Sequence, residues 1–158
     1  ELLHKFVGED QEIDLVQAEG YTMNGESKRP FSPADVWTTY DVSGASSPQG
    51  WVIEWIPRTR LNANIIANQS IDEDPEVTHY VIDIMDTAAS PETVVRSTEV
   101  AVGTTSWIYS TAMMQADFSP EITDVVVIVY QKGSTVTYSY GTRYDSATDT
   151  TSIVDPKE

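Results

Sequence analysis

The chain contains no cysteine. That excludes a disulfide framework, a thiolate metal site and a cysteine nucleophile, so the fold must stand on packing alone. Histidine is nearly absent too: His4 and His79 are the only two in 158 residues. No His-Glu-x-x-His or Gly-x-Ser-x-Gly element occurs, so the inventory for catalysis is thin. Apolar runs are short. The longest, Val125 to Tyr130, has the length of a strand, well below the roughly 18 residues of a membrane-spanning helix.

Positive charge is scarce as well, with nine Lys or Arg against 25 Asp or Glu and a formal net charge of −16. Phosphate neutralisation needs a basic face, so nucleic acid is not an expected partner, and an anionic bilayer repels such a chain. The acids run from Glu1 to Glu158 rather than forming one tail, which reads as a device for solubility. The first residue is Glu1 rather than Met, and residues 1–10 lack the basic-then-apolar layout of a secretory signal. We read the chain as a piece of a longer polypeptide.

What is present is β-branched and aromatic. Gly, Pro, Ser and Asn punctuate the apolar segments at short spacing and no long 3.6-residue period appears, which predicts an all-β domain. Residues 1–28 alternate weakly at Ile13, Leu15 and Val16 and then turn polar. They read as the end of a preceding module or a linker. Pro30 and Pro33 fix an extended lead-in, so the domain is set at 29–144 with a first strand over Val36–Val42. Gly50–Ile56 has the period of a strand and Pro57 ends it. Arg58 to Pro75 is polar and predicts a long loop. Val77–Met85 points Tyr80, Ile82 and Ile84 one way and Asp83 the other, and Thr93–Val102 is an edge-like strand.

Thr105–Tyr109 is short and aromatic, and residues 110–118 carry helix formers behind a Ser or Thr cap, enough for one or two turns. Ile122–Gln131, apolar on both faces, predicts a central strand. Lys132-Gly133-Ser134 then predicts a hairpin turn, with Thr135–Tyr144 returning and residues 145–158 left as a polar tail. Trp55, Tyr80, Ile82, Val126 and Ile128 are the expected filling between two sheets.

Several stretches, in order, resemble the C-terminal fibronectin type III-like region of phage tail-tip or hub proteins, including the tail protein family of gene transfer agents. Residues 29–36 resemble the family's Pro-aromatic-Ser-Pro opening, and Trp55, Arg58, Thr59 and Arg60 match its Trp-x-Arg-Arg-Thr-Arg strand end. Glu76–Ile84 resembles its Tyr-x-Val-x-Ile strand, and Thr105–Phe118 its aromatic-then-alanine segment ending in Asp-Phe. Val125–Ser134 resembles the closing strand. Pro57 departs from the family by replacing the first of paired arginines, and Ala34-Asp35 replaces Val-His.

The resemblance implies an immunoglobulin-like β-sandwich of about seven strands with short flanking extensions, structural and without catalytic residues, cofactor or metal. It implies a virion location at the distal tail and other tail subunits as partners, as a homo-oligomer within the virion. A host-surface receptor, polysaccharide or outer-membrane protein, is the alternative partner.

Five features remain to be weighed. Arg58 and Arg60 have the geometry to clamp Asp72, Asp74 or Glu76, the sharper alternative being an anion or sugar-acid contact. Asp72 to Glu76 offers four carboxylates in five positions, oxygen chemistry suited to calcium, yet without the Gly turn and alternating spacing of a dedicated loop. Trp107, Tyr109, Tyr138, Tyr140 and Tyr144 make either a sandwich core with cross-strand pairs or a carbohydrate platform. His79 is expected at the surface or rim. The Asn68 sequon carries no weight in a virion protein made in bacteria.

Overall fold

Alternation of large apolar residues with polar ones sets strands whose two faces differ, and Gly50–Ile56 and Val77–Asp86 show this pattern most clearly. The structure is a computed structural model and describes residues 28–41, 49–60, 74–119 and 122–157. Its strands are β1 (Asp35–Asp41), β2 (Gly50–Ile56), β3 (Val77–Asp86), β4 (Thr93–Ala101), β5 (Ser106–Ser110), β6 (Val126–Gly133), β7 (Gly141–Asp145) and β8 (Thr150–Val154). One helix, α1 (Thr111–Asp117), follows β5. Ser110 caps it by accepting from the Met113 N–H, as the sequence predicts.

The strands form an all-β sandwich of two antiparallel sheets, β1-β2-β5 and β4-β3-β6-β7-β8. Register decides what fills the space between them. Val36 pairs with Trp55 and Ile53 with Trp107, so these side chains share the core face of the smaller sheet. From the larger sheet come Tyr80, Ile82 and Ile84 together with Val127 and Val129. Trp55 and Tyr80 pack ring against ring at 5.4 Å between centroids.

Val126 and Ile128 are not in this layer. Both are 7% exposed, but Ile128 joins Val81 and Tyr130 in a second cluster on the outer face, covered by Met85, Tyr138 and Val154. The parity of β6 is opposite to the expected one. A strand that is apolar on both faces carries no alternation from which to read it.

Three further expectations change at the C-terminal end. Lys132 and Gly133 continue β6 instead of turning. Residues 134–140 are irregular, joined to β6 by a bridge between Lys132 and Tyr138, and only Gly141–Asp145 makes the returning strand. The stretch expected as a polar tail contributes β8, giving eight strands rather than seven. Gly141 permits this packing: a Cβ there would lie 2.6 Å from both Ile128 and Tyr130, closer than carbon atoms approach.

Beyond β8 the chain crosses the outer face. Asp83 is 1% exposed, and both its oxygens accept from Lys157 Nζ at 2.9 Å while Ser97 Oγ accepts from the same ammonium. A buried carboxylate is tolerated only when so paired. Lys157 Nζ also lies 6.0 Å from the Tyr138 ring centroid. Burial, with a contribution from the Asp83 charge, pushes the neighbouring Tyr130 phenol up to about 12.

At the opposite edge Arg96 of β4 grips Asp117 of α1 with two hydrogen bonds, at 2.6 and 2.8 Å, and the buried Tyr109 hydroxyl donates to the same carboxylate at 2.7 Å. Burial would raise the Asp117 carboxyl, but the hydrogen bonds from Arg96 and Tyr109 outweigh it and hold it below its ordinary value. Burial, reinforced by Asp117, drives the Tyr109 phenol strongly upward.

Candidate interaction surface

The lead-in segment, the exit of β2 and the end of β6 meet at one end of the sandwich. Gln131 holds them together. It is 1% exposed and its side-chain amide copies a β-ladder: Oε1 accepts from the Arg58 N–H and Nε2 donates to the Arg58 carbonyl, both at 2.8 Å. Its own backbone N–H donates to Ser139 Oγ, and its carbonyl accepts from the Ser139 N–H, each at 2.9 Å. Every polar group of Gln131 is thereby satisfied.

The arginines divide their labour. Arg60 clamps Asp74, with Nε at 2.7 Å and a terminal nitrogen at 3.0 Å from its two oxygens. The hydrogen bonds of Arg60 hold the Asp74 carboxyl below its usual range against the opposing effect of burial, helped by the Glu76 and Arg60 backbone N–H groups. This is the internal ion pair expected for Arg60. Among the described residues Arg58 makes no such clamp: its guanidinium carbon lies 5.0 Å from the Phe31 ring centroid. Exposure explains the choice, since a stacked arginine keeps its donors in water while covering aromatic surface.

A second pair continues the strip. Arg29 donates to the Tyr138 carbonyl and its guanidinium carbon stands 5.9 Å from the Tyr140 centroid. Pro30 lies against Gly133, where an added Cβ would come within 3.0 Å of it. Phe31, Ile56 and Tyr140 are 44%, 40% and 47% exposed, three large apolar groups on the surface at this end. The chemistry offered is two arginine-capped aromatic rings on a molecule otherwise rich in acids. Such a strip can hydrogen-bond carboxylates through guanidinium edges and pack apolar or sugar rings against its faces.

The remaining sequence candidates fall elsewhere. Asp72, Glu73, His4 and Asn68 lie outside the described residues. Among the described residues no group of three or more His, Cys, Asp and Glu is spaced to hold a metal ion, and Asp74 is already committed to Arg60. His79 is exposed on β3. The five aromatic residues considered as a platform are dispersed. Trp107 and Tyr109 stack on each other at 6.0 Å toward the core, and Tyr144 is buried with its hydroxyl on Asp149. Tyr138 covers the outer cluster, whereas Tyr140 joins the arginine strip.

A shallow depression of about 460 Å³ lined by Tyr40, Trp51, Ile122 and Thr123 lies apart from this strip. The residues that sequence reasoning missed are Phe31, Arg29 and Gln131. Their signals are faint: an aromatic between two prolines, and a polar residue closing an otherwise apolar strand.

Compared with protein-family models, with curated proteins and with solved structures, the chain matches none.

Proposed function

We propose that this chain is a fibronectin type III-like, non-enzymatic structural domain of the tail tip or hub of a bacteriophage or gene transfer agent. The observation that supports the reading is how the residues behind the resemblance are used. Trp55 and Tyr80 fill the core, Arg60 is spent on Asp74, and Gln131 stitches the exit of β2 to β6. Residues so occupied build a rigid sandwich and leave no pocket among themselves. The strand partition supports it as well. With β1, β2 and β5 taken as strands A, B and E, and β3, β6 and β7 as C, F and G, the two sheets have the immunoglobulin-like arrangement, with β4 placed as C′.

The strip of exposed Phe31, Ile56, Arg58 and Tyr140 with half-buried Arg29 favours a second reading, a receptor-binding module, because aromatic and arginine side chains dominate binding hot spots. One experiment addresses both. Antibody raised against the chain should decorate the distal tail of particles in electron micrographs, and added free chain should leave adsorption to cells unchanged. Decoration of the capsid, or of nothing, would sink the tail assignment. Strong competition by free chain, lost in an Arg29→Ala/Arg58→Ala variant, would make the domain a receptor binder instead.

A further inference from the structure

The larger sheet ends in a strand with an open side. β8 pairs with β7 along one edge, and among the described residues its other edge meets no strand. Its sequence, Thr150-Thr151-Ser152-Ile153-Val154, has four β-branched residues and no charge, proline or glycine. The other edges are protected in recognised ways. On β4, Arg96 is engaged by α1, Glu99 by Lys132, and a register shift interrupts its pairing with β3. β1 begins and ends in Asp, behind Pro33. β5 runs straight into α1.

Register adds a second observation. Ile153 pairs with Thr142, which is buried and donates its hydroxyl to the Pro33 carbonyl at 2.7 Å. Ile153 thus lies on the core side of the sheet, yet it is 60% exposed, the highest value among the exposed large apolar residues. The cause is an overhang: β1 packs on β7 and β8 extends beyond it. A core-side isoleucine beside an unpaired backbone edge is the surface an added strand completes.

We infer that the free edge of β8 is a docking site for an extended segment of a partner protein, one with alternating apolar residues and a cationic residue at each end. The flanks select the charge, since Asp149 and Asp155 bracket the uncharged strand in a chain of net charge −16. The same charges disfavour a second copy. Antiparallel self-pairing centred on Ser152 sets Asp149 of each copy against Asp155 of the other, and like charges facing across strands repel. Backbone hydrogen bonds supply affinity, Ile153 the apolar contact and the two aspartates the selection of partner.

The probe is the synthetic peptide Lys-Val-Thr-Val-Thr-Val-Lys, titrated into the isotopically labelled 158-residue chain while amide shifts and hydrogen exchange are followed. Saturable shifts should concentrate at residues 150–154 and weaken with added salt. A version with Glu in place of both Lys should bind at least about tenfold more weakly. Ile153→Lys should lose about tenfold in affinity for the Lys-flanked peptide while its melting temperature stays near wild type, because the side chain is exposed. Absence of saturation, or equal binding of both peptides, overturns the inference. So does slow exchange, without peptide, at those β8 amides that point away from β7, which means that a second copy, if it depends on concentration, or another segment of this chain, if it does not, already covers the edge.

Discussion

Replacing Gln131 by Leu keeps most of the volume and removes the amide that carries the two bonds to Arg58. Arg58 then has an N–H and a carbonyl facing an apolar side chain. An unsatisfied buried group costs about 1–3 kcal/mol, and Arg58 lies close enough to solvent for water to recover part of that. The expected loss is about 2–3 kcal/mol, roughly 8–12 °C in melting temperature for a domain near this size. Gln131→Glu sharpens the test. As a carboxylate it accepts the Arg58 N–H but sets oxygen against the Arg58 carbonyl; protonated, it restores the donor and the ladder-like pair.

Its folded-state pKa must therefore lie above the unfolded value of about 4.3. The stability the protonated form contributes is complete below that value and is lost as pH rises through the folded one. Urea midpoints at constant m-value, taken from pH 4 to 8 for both variants, isolate the effect, because acid sensitivity shared by the rest of the protein cancels in their difference. Gln131→Glu should exceed Gln131→Leu at pH 4, with the gap shrinking toward pH 7. A Gln131→Leu protein within about 0.5 kcal/mol of wild type, or a difference between the variants that is flat in pH, refutes the account.

Trp55→Ala should cost about 3–5 kcal/mol, while Trp55→Phe should cost distinctly less, since the indole N–H has no hydrogen-bond partner to lose; equal urea midpoints for the two would remove Trp55 from the core. The lowered carboxyls of Asp74 and Asp117 contribute stability that is complete above the ordinary aspartate value of about 4 and lost as pH falls through their folded-state values. Asp74→Asn should accordingly flatten the acid limb of the stability curve, and an unchanged limb would exclude that ion pair as its source. Calcium at millimolar level should leave the melting temperature within about a degree, because both Asp74 oxygens already serve Arg60; a saturable rise would show that the acidic segment binds the ion.

Much of the sandwich was legible because alternation and proline breaks are local signals. Pro57 closing β2 and Ser110 capping α1 needed only neighbouring residues. The parity of β6 was not legible, because Val125 to Tyr130 is apolar at every position and only the opposing sheet decides which valines face it. β8 was missed for the opposite reason. Its residues are mostly polar, and it is a strand because β7 offers a ladder, a contact between segments that no window of sequence contains. At the candidate surface Arg60 with Asp74 was readable from charge and proximity. The stacking of Arg58 on Phe31 was not, since opposite charges pointed only to a clamp.

Tyr138 has a mechanical consequence. Arg29, at the start of the described fold, donates to its carbonyl, and Lys157, at the far end, stands over its ring. The two ends of the described fold are thus held by one residue. Tension between the ends bears first on this clasp and the Lys157–Asp83 pair, peeling the last strand from its neighbour one bond at a time, while the core around Trp55 stays outside the line of force.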